Sequence, residues 1–332
     1  MPENLLLIIG SVLLILIIYD FFFTTLSQSG AGFLTLLILR CAHFLLQKSV
    51  RVTGRKFYRF SGMLINLVVL SVWVMGVWLG LFLIFSSDPQ SIVNDQGLAA
   101  NGFERLYFTG YTLSTLGIGD FMPVSRTFQI LASCFSFFGF IFFTTSMTYL
   151  VSVSSGIIHK RTLAQSVQNI GTSPEEMVNH IRNRDRNHVI QKSLNIQEVI
   201  GQIAVNLQAF PVIAYYSTSR SLDSFGLNLA RLDEVMTLIF YTETPGINAK
   251  DFIPLRKSVD GFLKFVQQDF PDISKSGNDD APPFGFSSGK TPDTESEEDI
   301  RWRRKILSGM LHHEGLDWND VFQKSSGSKG FS

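Results

Sequence analysis

Two long apolar stretches constrain this chain more than any other feature of its sequence. Residues 62–85 and 127–151 contain no charged side chain. As α-helices, both are long enough to cross the roughly 30 Å hydrocarbon layer of a bilayer. Apolar residues crowd into the first half of the chain. The sequence therefore predicts an integral membrane protein whose second half is polar.

A third apolar stretch lies near the N-terminus. Residues 5–19 are apolar and are followed by Asp20. No positive charge precedes this stretch and no small-residue cleavage site follows it, so we expect an uncleaved anchor rather than a signal peptide. We interpret residues 1–26 as an additional transmembrane helix that places Asp20 near one membrane interface.

Residues 27–61 allow two interpretations. Within them, 31–47 is short for a span, and Arg40 begins a row of polar residues on one helical face that ends at Arg51. This pattern favours an amphipathic helix at the cytoplasmic interface, and the alternative is a fourth span. The N-terminus lies outside the cell with three spans and inside it with four.

The distribution of charge predicts the orientation in the cell membrane. Five basic residues lie within 48–59, and two more at 160–161 follow the second long stretch, whereas the connection 86–102 contains two acids and no base. The positive-inside rule places both basic segments in the cytoplasm. We therefore expect a multi-pass cell membrane protein whose C-terminal half, from about residue 156, is cytoplasmic.

The polar half begins with the pattern of a soluble helical domain over 156–271. Ser173, Pro174 and Glu176 predict a helix start, with Ser173 as the cap, Pro174 in the first turn and Glu176 closing a capping box. The domain is therefore expected to be α-helical.

Further elements follow from periodicity and composition. Apolar residues recur at a helical period over 189–210, and helices are also expected near 226–241 and 251–268. Residues 272–299 are rich in acidic residues, Ser, Gly and Pro, which predicts a disordered linker. Residues 300–332 are interpreted as a C-terminal amphipathic helix, about 300 to 322, and a tail.

The connection between the two long stretches is unusually apolar. Residues 103–125 read FERLYFTGYTLSTLGIGDFMPVS. Irregular backbone exposed to lipid is not tolerated at membrane depth, so this segment is expected to be a re-entrant hairpin buried in protein or lining a water-filled path. A short helix at about 103–114 would direct its negative C-terminal end toward that path.

The hairpin continues as Thr115, Leu116, Gly117, Ile118 and Gly119. We interpret these residues as an extended strand whose carbonyls point in one direction, because glycines relieve the strain of aligning successive peptide dipoles. Several such strands around one axis would form oxygen cages that replace the water around a cation.

Acidic residues are expected at the outer mouth of such a path. Asp120 directly follows the strand, and Asp88, Asp95 and Glu104 precede it in the same connection. Together they would concentrate cations before entry.

The segment from Thr112 to Asp120, TLSTLGIGD, resembles the selectivity filter of potassium channels, usually written TxxTVGYGD. The resemblance covers about 62–155 and implies an outer helix, a pore helix, a filter and an inner helix. It implies an all-α membrane protein with a potassium-channel pore module, an extra N-terminal transmembrane helix and a cytoplasmic α-helical domain.

The function implied by this resemblance is passive, potassium-selective permeation through a homotetramer. Potassium would bind the carbonyls of Thr115, Leu116, Gly117 and Ile118 and the Thr115 hydroxyl, with Gly119 completing the filter. It would be the permeant ion, and no cofactor is expected. Gating would be set by the cytoplasmic domain.

Two positions leave alternatives open. Gly139 stands where inner helices of the family often have a glycine hinge, and the alternative is close helix packing. Ile118 stands where the family usually has Tyr or Phe, so apolar packing by Tyr107, Phe108 or Tyr111 would have to support the strand. A weakly selective cation channel is therefore a second interpretation.

Other classes of protein fit the sequence less well. It lacks a nucleophile and base arrangement that would indicate an enzyme, and we expect none. The expected partners are the lipid bilayer, copies of the chain itself and an unidentified cytoplasmic ligand or protein, but no nucleic acid. The remaining alternative is a non-conducting, membrane-anchored sensory or scaffolding protein.

Overall fold

The computed structural model describes residues 3–53, 58–241, 246–274 and 296–323. The chain divides into two compact units. The first unit consists of Met1–Lys48, Met63–Ser154 and Gln208–Val212, and the second of Ser49–Gly62, Ser155–Leu207 and Ile213–Ser332.

The apolar half of the chain is mostly helical. Its elements are α1 (Glu3–Leu26), α2 (Phe33–Thr53), α3 (Tyr58–Phe85), β1 (Ile92–Asn94), α4 (Gly102–Leu113), β2 (Phe121–Pro123) and α5 (Arg126–Gln168). Among the described residues, three helical segments are long and apolar enough to cross a membrane, namely Asn4–Leu26, Gly62–Phe85 and Arg126–Gln168. The three predicted spans are thereby confirmed. The apolar part of α2, Phe33–Ala42, is shorter.

Helices α1 and α3 pack antiparallel through glycines. A Cβ added to Gly10 on α1 would lie 2.8 Å from the carbonyl oxygen of Gly80 on α3, and one added to Gly76 would lie 2.7 Å from the Ile17 side chain. Gly76 and Gly80 are four residues apart, so they lie on one face of α3. Small residues at this spacing let the backbones of membrane helices approach closely.

A buried carboxylate organises the turn between α1 and α2. The Asp20 side chain accepts hydrogen bonds from the backbone N–H groups of Leu34 (2.9 Å) and Thr35 (3.3 Å) at the start of α2. It also accepts from the Thr35 hydroxyl (2.5 Å) and from Trp73 Nε1 on α3 (2.9 Å). Asp20 is only 3% exposed. An acid in an apolar helix is thus satisfied inside the protein, where such residues are normally found.

The second unit is built from further helices. They are α6 (Pro174–Arg182), α7 (Arg186–Ala209), α8 (Phe225–Tyr241), α9 (Ile253–Asp269), α10 (Pro271–Ser274), α11 (Glu297–His313) and α12 (Trp318–Phe322), with a 3-10 helix at Ala249–Phe252. The helices expected over 189–210, near 226–241 and near 251–268 correspond to α7, α8 and α9.

The expected single helix over 300–322 is wrong. The chain forms α11 and α12 with a break between them, because Gly315 takes a left-handed φ of 68° and Asp317 caps a new helix. Most of the predicted disordered linker, residues 275–295, lies outside the described residues. At its margins the prediction is wrong, because 272–274 belong to α10 and 297–299 to α11.

The start of α6 follows the sequence prediction in part. The Ser173 hydroxyl accepts from the N–H of Glu176 (3.3 Å), and Pro174 is the first helical residue. The Glu176 carboxylate, however, accepts from both the N–H and the hydroxyl of Thr172 (2.9 Å each). The capping interaction therefore closes one residue earlier than predicted.

Buried ion pairs join α11 to the rest of this unit. Arg304 on α11 binds Glu234 on α8 through two bonds of 2.7 Å, and Arg303 lies 3.2 Å from Asp233. Asp233 also pairs with Arg256 of α9. Removing one partner of such a buried pair typically costs about 3–5 kcal/mol, because the other charge stays buried. Helix α11 is therefore an integral part of the unit.

Candidate functional site

The hairpin between α3 and α5 begins with a well-capped short helix. The Asn101 side chain accepts from the N–H groups of Phe103 (3.0 Å) and Glu104 (3.1 Å), and the Glu104 carboxylate accepts from the N–H of Asn101 (2.7 Å). This capping box starts α4 at Gly102, one residue before the prediction. Glu104 is therefore engaged in capping, a role that the Asn-x-x-Glu spacing could have indicated.

An aromatic core holds α4 against the outer helix. Phe108 of α4 packs edge-on against Phe85 of α3, with ring centroids 5.2 Å apart, and both are buried. Trp78 of α3 donates its indole N–H to the carbonyl of Leu106 (3.1 Å). Gly110 lies beside the Trp78 ring, where an added Cβ would approach the ring nitrogen to 3.3 Å. The short helix is thus fixed along its length.

The five predicted filter residues follow α4 as one exposed segment. Thr115, Gly117 and Gly119 take left-handed φ values of 60°, 57° and 91°, whereas Leu116 and Ile118 do not. Thr115 is one of two non-glycine residues with positive φ among those described. Such strained backbone is concentrated at functional sites.

The backbone of this segment differs from the predicted strand. Residues 115–119 form no regular strand. An ordinary strand alternates between its two faces at each residue, and a left-handed φ at every second position interrupts that alternation. The glycine spacing indicated an unusual backbone in this segment, but residues 115–119 are not an extended strand.

Hydrogen bonds brace the segment at both ends. At its start, the N–H of Leu116 donates to the carbonyl of Tyr111 (2.9 Å) and the N–H of Thr115 to that of Thr112 (3.2 Å). Beyond its end, the Tyr111 hydroxyl donates to the carbonyl of Phe121 (2.8 Å). Tyr111 therefore connects α4, before the predicted filter residues, to β2 after them, a contact that no local sequence pattern indicated.

A two-stranded sheet supports the far end. Strands β1 and β2 pair antiparallel, with Ile92 opposite Pro123 and Asn94 opposite Phe121. The Gln129 amide donates to the carbonyl of Pro123 (3.1 Å). Strands of three residues are too short to show a period of two, so no sequence pattern indicates this sheet.

The apolar side chains of the filter segment are not covered within one chain. Leu116 is 67% exposed and Ile118 44% exposed. Of the aromatic residues expected to pack on Ile118, Tyr111 and Phe108 lie in the core. The bracing comes instead from the hydroxyl of Tyr111.

The acidic residues of the connection are placed differently from one another. Asp120 and Asp95 are exposed. Asp88 is half-buried and accepts from the N–H of Gln90 (2.8 Å). Asp120 directly follows Gly119 and is exposed, and its role at an outer mouth stays a prediction.

Gly139 of α5 lies against the end of α4. A Cβ at this position would collide with the carbonyl oxygen of Leu113, the last residue of α4. Helix α5 continues through Gly139 without interruption. This contact agrees with close packing, the alternative to a hinge, and the hinge stays a prediction.

Comparison with known proteins agrees with this architecture. The family model described as "Ion channel" matches residues 68–155, which include the outer helix, the hairpin and the inner helix. Residues 68–155 of this membrane protein are therefore similar to an ion channel pore domain.

Its similarity to another protein extends well beyond the pore. The chain is 30% identical over 330 residues to "Uncharacterized membrane protein YdjJ" of Bacillus subtilis (strain 168), and the alignment covers 94% of each chain. The two proteins therefore belong to one family, and their similarity covers the helical second half of the chain as well as residues 68–155. No solved structure matches the chain.

Proposed function

We propose that this chain is the subunit of a homotetrameric, potassium-selective channel. The observation that supports this most is the alternating left-handed backbone at Thr115, Gly117 and Gly119 in an exposed segment that is braced at both ends. Four copies around an axis would supply rings of backbone carbonyls in place of the ion's water shell. Potassium would bind the carbonyls of Thr115, Leu116, Gly117 and Ile118.

Exposed apolar surface supports assembly into an oligomer. On α5, Phe137 is 68% exposed, Phe140 59% and Phe143 60%. In the bilayer such residues can face lipid or a neighbouring subunit. The irregular backbone around the exposed Leu116 and Ile118 carries polar groups that lipid cannot satisfy. Burial of this segment against other copies of the hairpin is therefore favoured.

The proposed orientation follows from charge and helix direction. The basic residues within 48–59 and at 160–161 favour the cytoplasm for both segments. Because α1 packs antiparallel to α3, its N-terminus would then lie on the outer side. Helix α2 would lie at the cytoplasmic interface, and the second unit would be cytoplasmic.

Control of gating by the second unit is supported by the continuity of α5. Helix α5, the proposed inner helix, extends to Gln168 without a break. Near its end, the Lys160 ammonium is buried and donates to the carbonyls of Tyr216 (2.8 Å) and Ile213 (3.3 Å). Movement in this unit would therefore be transmitted directly along α5.

Ion flux through purified protein in liposomes tests the proposal. The natural chain should pass potassium far faster than sodium. Gly117→Ala should abolish this preference or the flux, because it disfavours the left-handed backbone by about 1–2 kcal/mol per subunit. An added Cβ meets open space, so this backbone strain is the only cost of the substitution.

The matched control is Gly102→Ala. Its Cβ also meets open space, and its φ is not left-handed. A weakly selective cation channel would pass potassium and sodium at comparable rates in the natural chain, and Gly117→Ala would abolish both fluxes. The lack of a hydroxyl at Ile118 favours this alternative. Absence of any flux from intact tetramers would contradict the proposal and favour a scaffold.

A further inference from the structure

The second unit contains a cavity of about 210 Å³ beneath the end of α5. Residues from α6, α7, α8 and the start of α9 line it, together with Asn169 and Ile170, which directly follow the last residue of α5. Pockets for drug-sized ligands are typically about 300–1,000 Å³. This one therefore suits a small molecule and is too small for a whole two-chain lipid.

The floor of the cavity belongs to the apolar core. Met177, Ile196, Val235 and Leu255 line it and are each at most 2% exposed. They come from four different helices. A ligand in this cavity would therefore contact apolar side chains that are otherwise shielded from water.

The rim of the cavity is basic. His180, Arg184, His188 and Lys192 follow one another at intervals of four residues and line the same cavity. The Arg184 Nε donates to His180 Nε2 (3.2 Å). Within the part of the chain that the structure describes, the Lys192 side chain has no ion-pair partner, and the lining includes no acid.

The acids Asp185 and Asp251 are each adjacent in sequence to a lining residue. Asp185 accepts from the backbone N–H groups of Asn187 (2.9 Å) and His188 (3.4 Å) at the start of α7. Asp251, adjacent to the lining residue Phe252, binds Arg186 through two bonds of 2.7 Å. These hydrogen bonds hold the pKa of Asp251 below its usual range, so that its charge stays paired with Arg186. The charged side chains that line the cavity itself are therefore basic.

We infer that this cavity binds a small amphipathic carboxylate, such as a medium-chain fatty acid. The carboxylate would pair with Lys192 and Arg184 at the rim, and the alkyl chain would occupy the floor near Met177 and Val235. Hydrogen bonds to charged groups are stronger than neutral ones, and each buried methylene group adds to the affinity. Charge and apolarity are thus recognised by different parts of one cavity.

The consequence for gating rests on the proposed channel function. Because Asn169 and Ile170 line the cavity, an occupied cavity would favour one position of the end of α5 over another. A ligand changes such an equilibrium only by the difference in its affinity for the two positions. Binding itself, in contrast, requires no ion conduction.

Binding is measured by calorimetry on the full chain in nanodiscs of zwitterionic lipid, with octanoate, octanol and octylamine as ligands. Octanoate should bind saturably at one site per chain, and the other two at least tenfold more weakly. Because this comparison uses the natural chain, it does not depend on the folding of any variant. Equal binding of octanol would overturn the inference, as would the absence of saturable octanoate binding.

Two variants localise the site. Lys192→Met should weaken octanoate binding about tenfold, the loss expected for one hydrogen bond to a charged group. Val189→Trp should abolish it, because Val189 is a half-buried lining residue and a large ring there would fill the cavity. Lys257→Met is the matched control, since Lys257 is exposed and outside the cavity lining. Equal octanoate affinity in all three variants would place binding elsewhere and refute the inference.

Potassium flux with and without octanoate separates the two proposals. The protein could bind octanoate saturably, more weakly after Lys192→Met, and yet pass no ions. That result would support the cavity and contradict the channel. Potassium-selective flux without saturable octanoate binding would support the channel and contradict the cavity.

Discussion

The Tyr111 hydroxyl connects α4 to the chain beyond the proposed filter residues 115–119. The substitution Tyr111→Phe removes the 2.8 Å hydrogen bond to the carbonyl of Phe121 and leaves the aromatic ring in place. A neutral hydrogen bond contributes about 0.5–1.5 kcal/mol net. Over four subunits the braced state would therefore lose about 2–6 kcal/mol relative to an unbraced one.

The loss should fall on the conducting state, because the bond spans the filter segment. We expect Tyr111→Phe to reduce the potassium-over-sodium flux ratio or to shorten open times in single-channel recordings, while the tetramer survives gel filtration. Tyr107→Phe is the control, since Tyr107 lies on the same helix, is 44% exposed and has no hydroxyl hydrogen bond within the described residues. Identical selectivity and open times in Tyr111→Phe and the natural chain would refute the argument that this bond stabilises the filter.

Three further predictions follow from buried contacts. Asp20→Ala should lower the stability of the assembled protein by at least about 3 kcal/mol, because it leaves four donors without an acceptor; thermal unfolding measures this loss, and an equal effect of Asp95→Ala at an exposed acid would contradict it. Gly139→Ala should impair assembly or conduction, because its Cβ collides with the Leu113 carbonyl; normal flux from a stable tetramer would be inconsistent with that contact. Lys160→Met should change open probability in single-channel recordings without dissociating the tetramer, because the carbonyls of Ile213 and Tyr216 lose the donor that binds them to α5; unaltered gating would exclude Lys160 from the coupling.

The sequence alone determined the features that depend on local pattern. Uncharged length identified the three long apolar helices, and the spacing of Gly117 and Gly119 after Thr115 marked the residues whose backbone takes left-handed φ values. Helix α4 followed from the apolar connection between two spans, and the start of α6 from Ser173 and Pro174. These inferences succeeded because length, hydrophobicity, capping and glycine spacing act over a few neighbouring residues.

Only the tertiary structure decided which distant residues meet. The bond from Tyr111 to Phe121, the contact of Gly139 with Leu113 and the burial of Asp20 beneath Trp73 have no signature in local sequence. The same holds for the cavity in the second unit, whose basic rim is regular along the chain but whose floor is assembled from separate helices. Such contacts depend on how helices pack, and a sequence period specifies which face of a helix is buried without specifying what covers it.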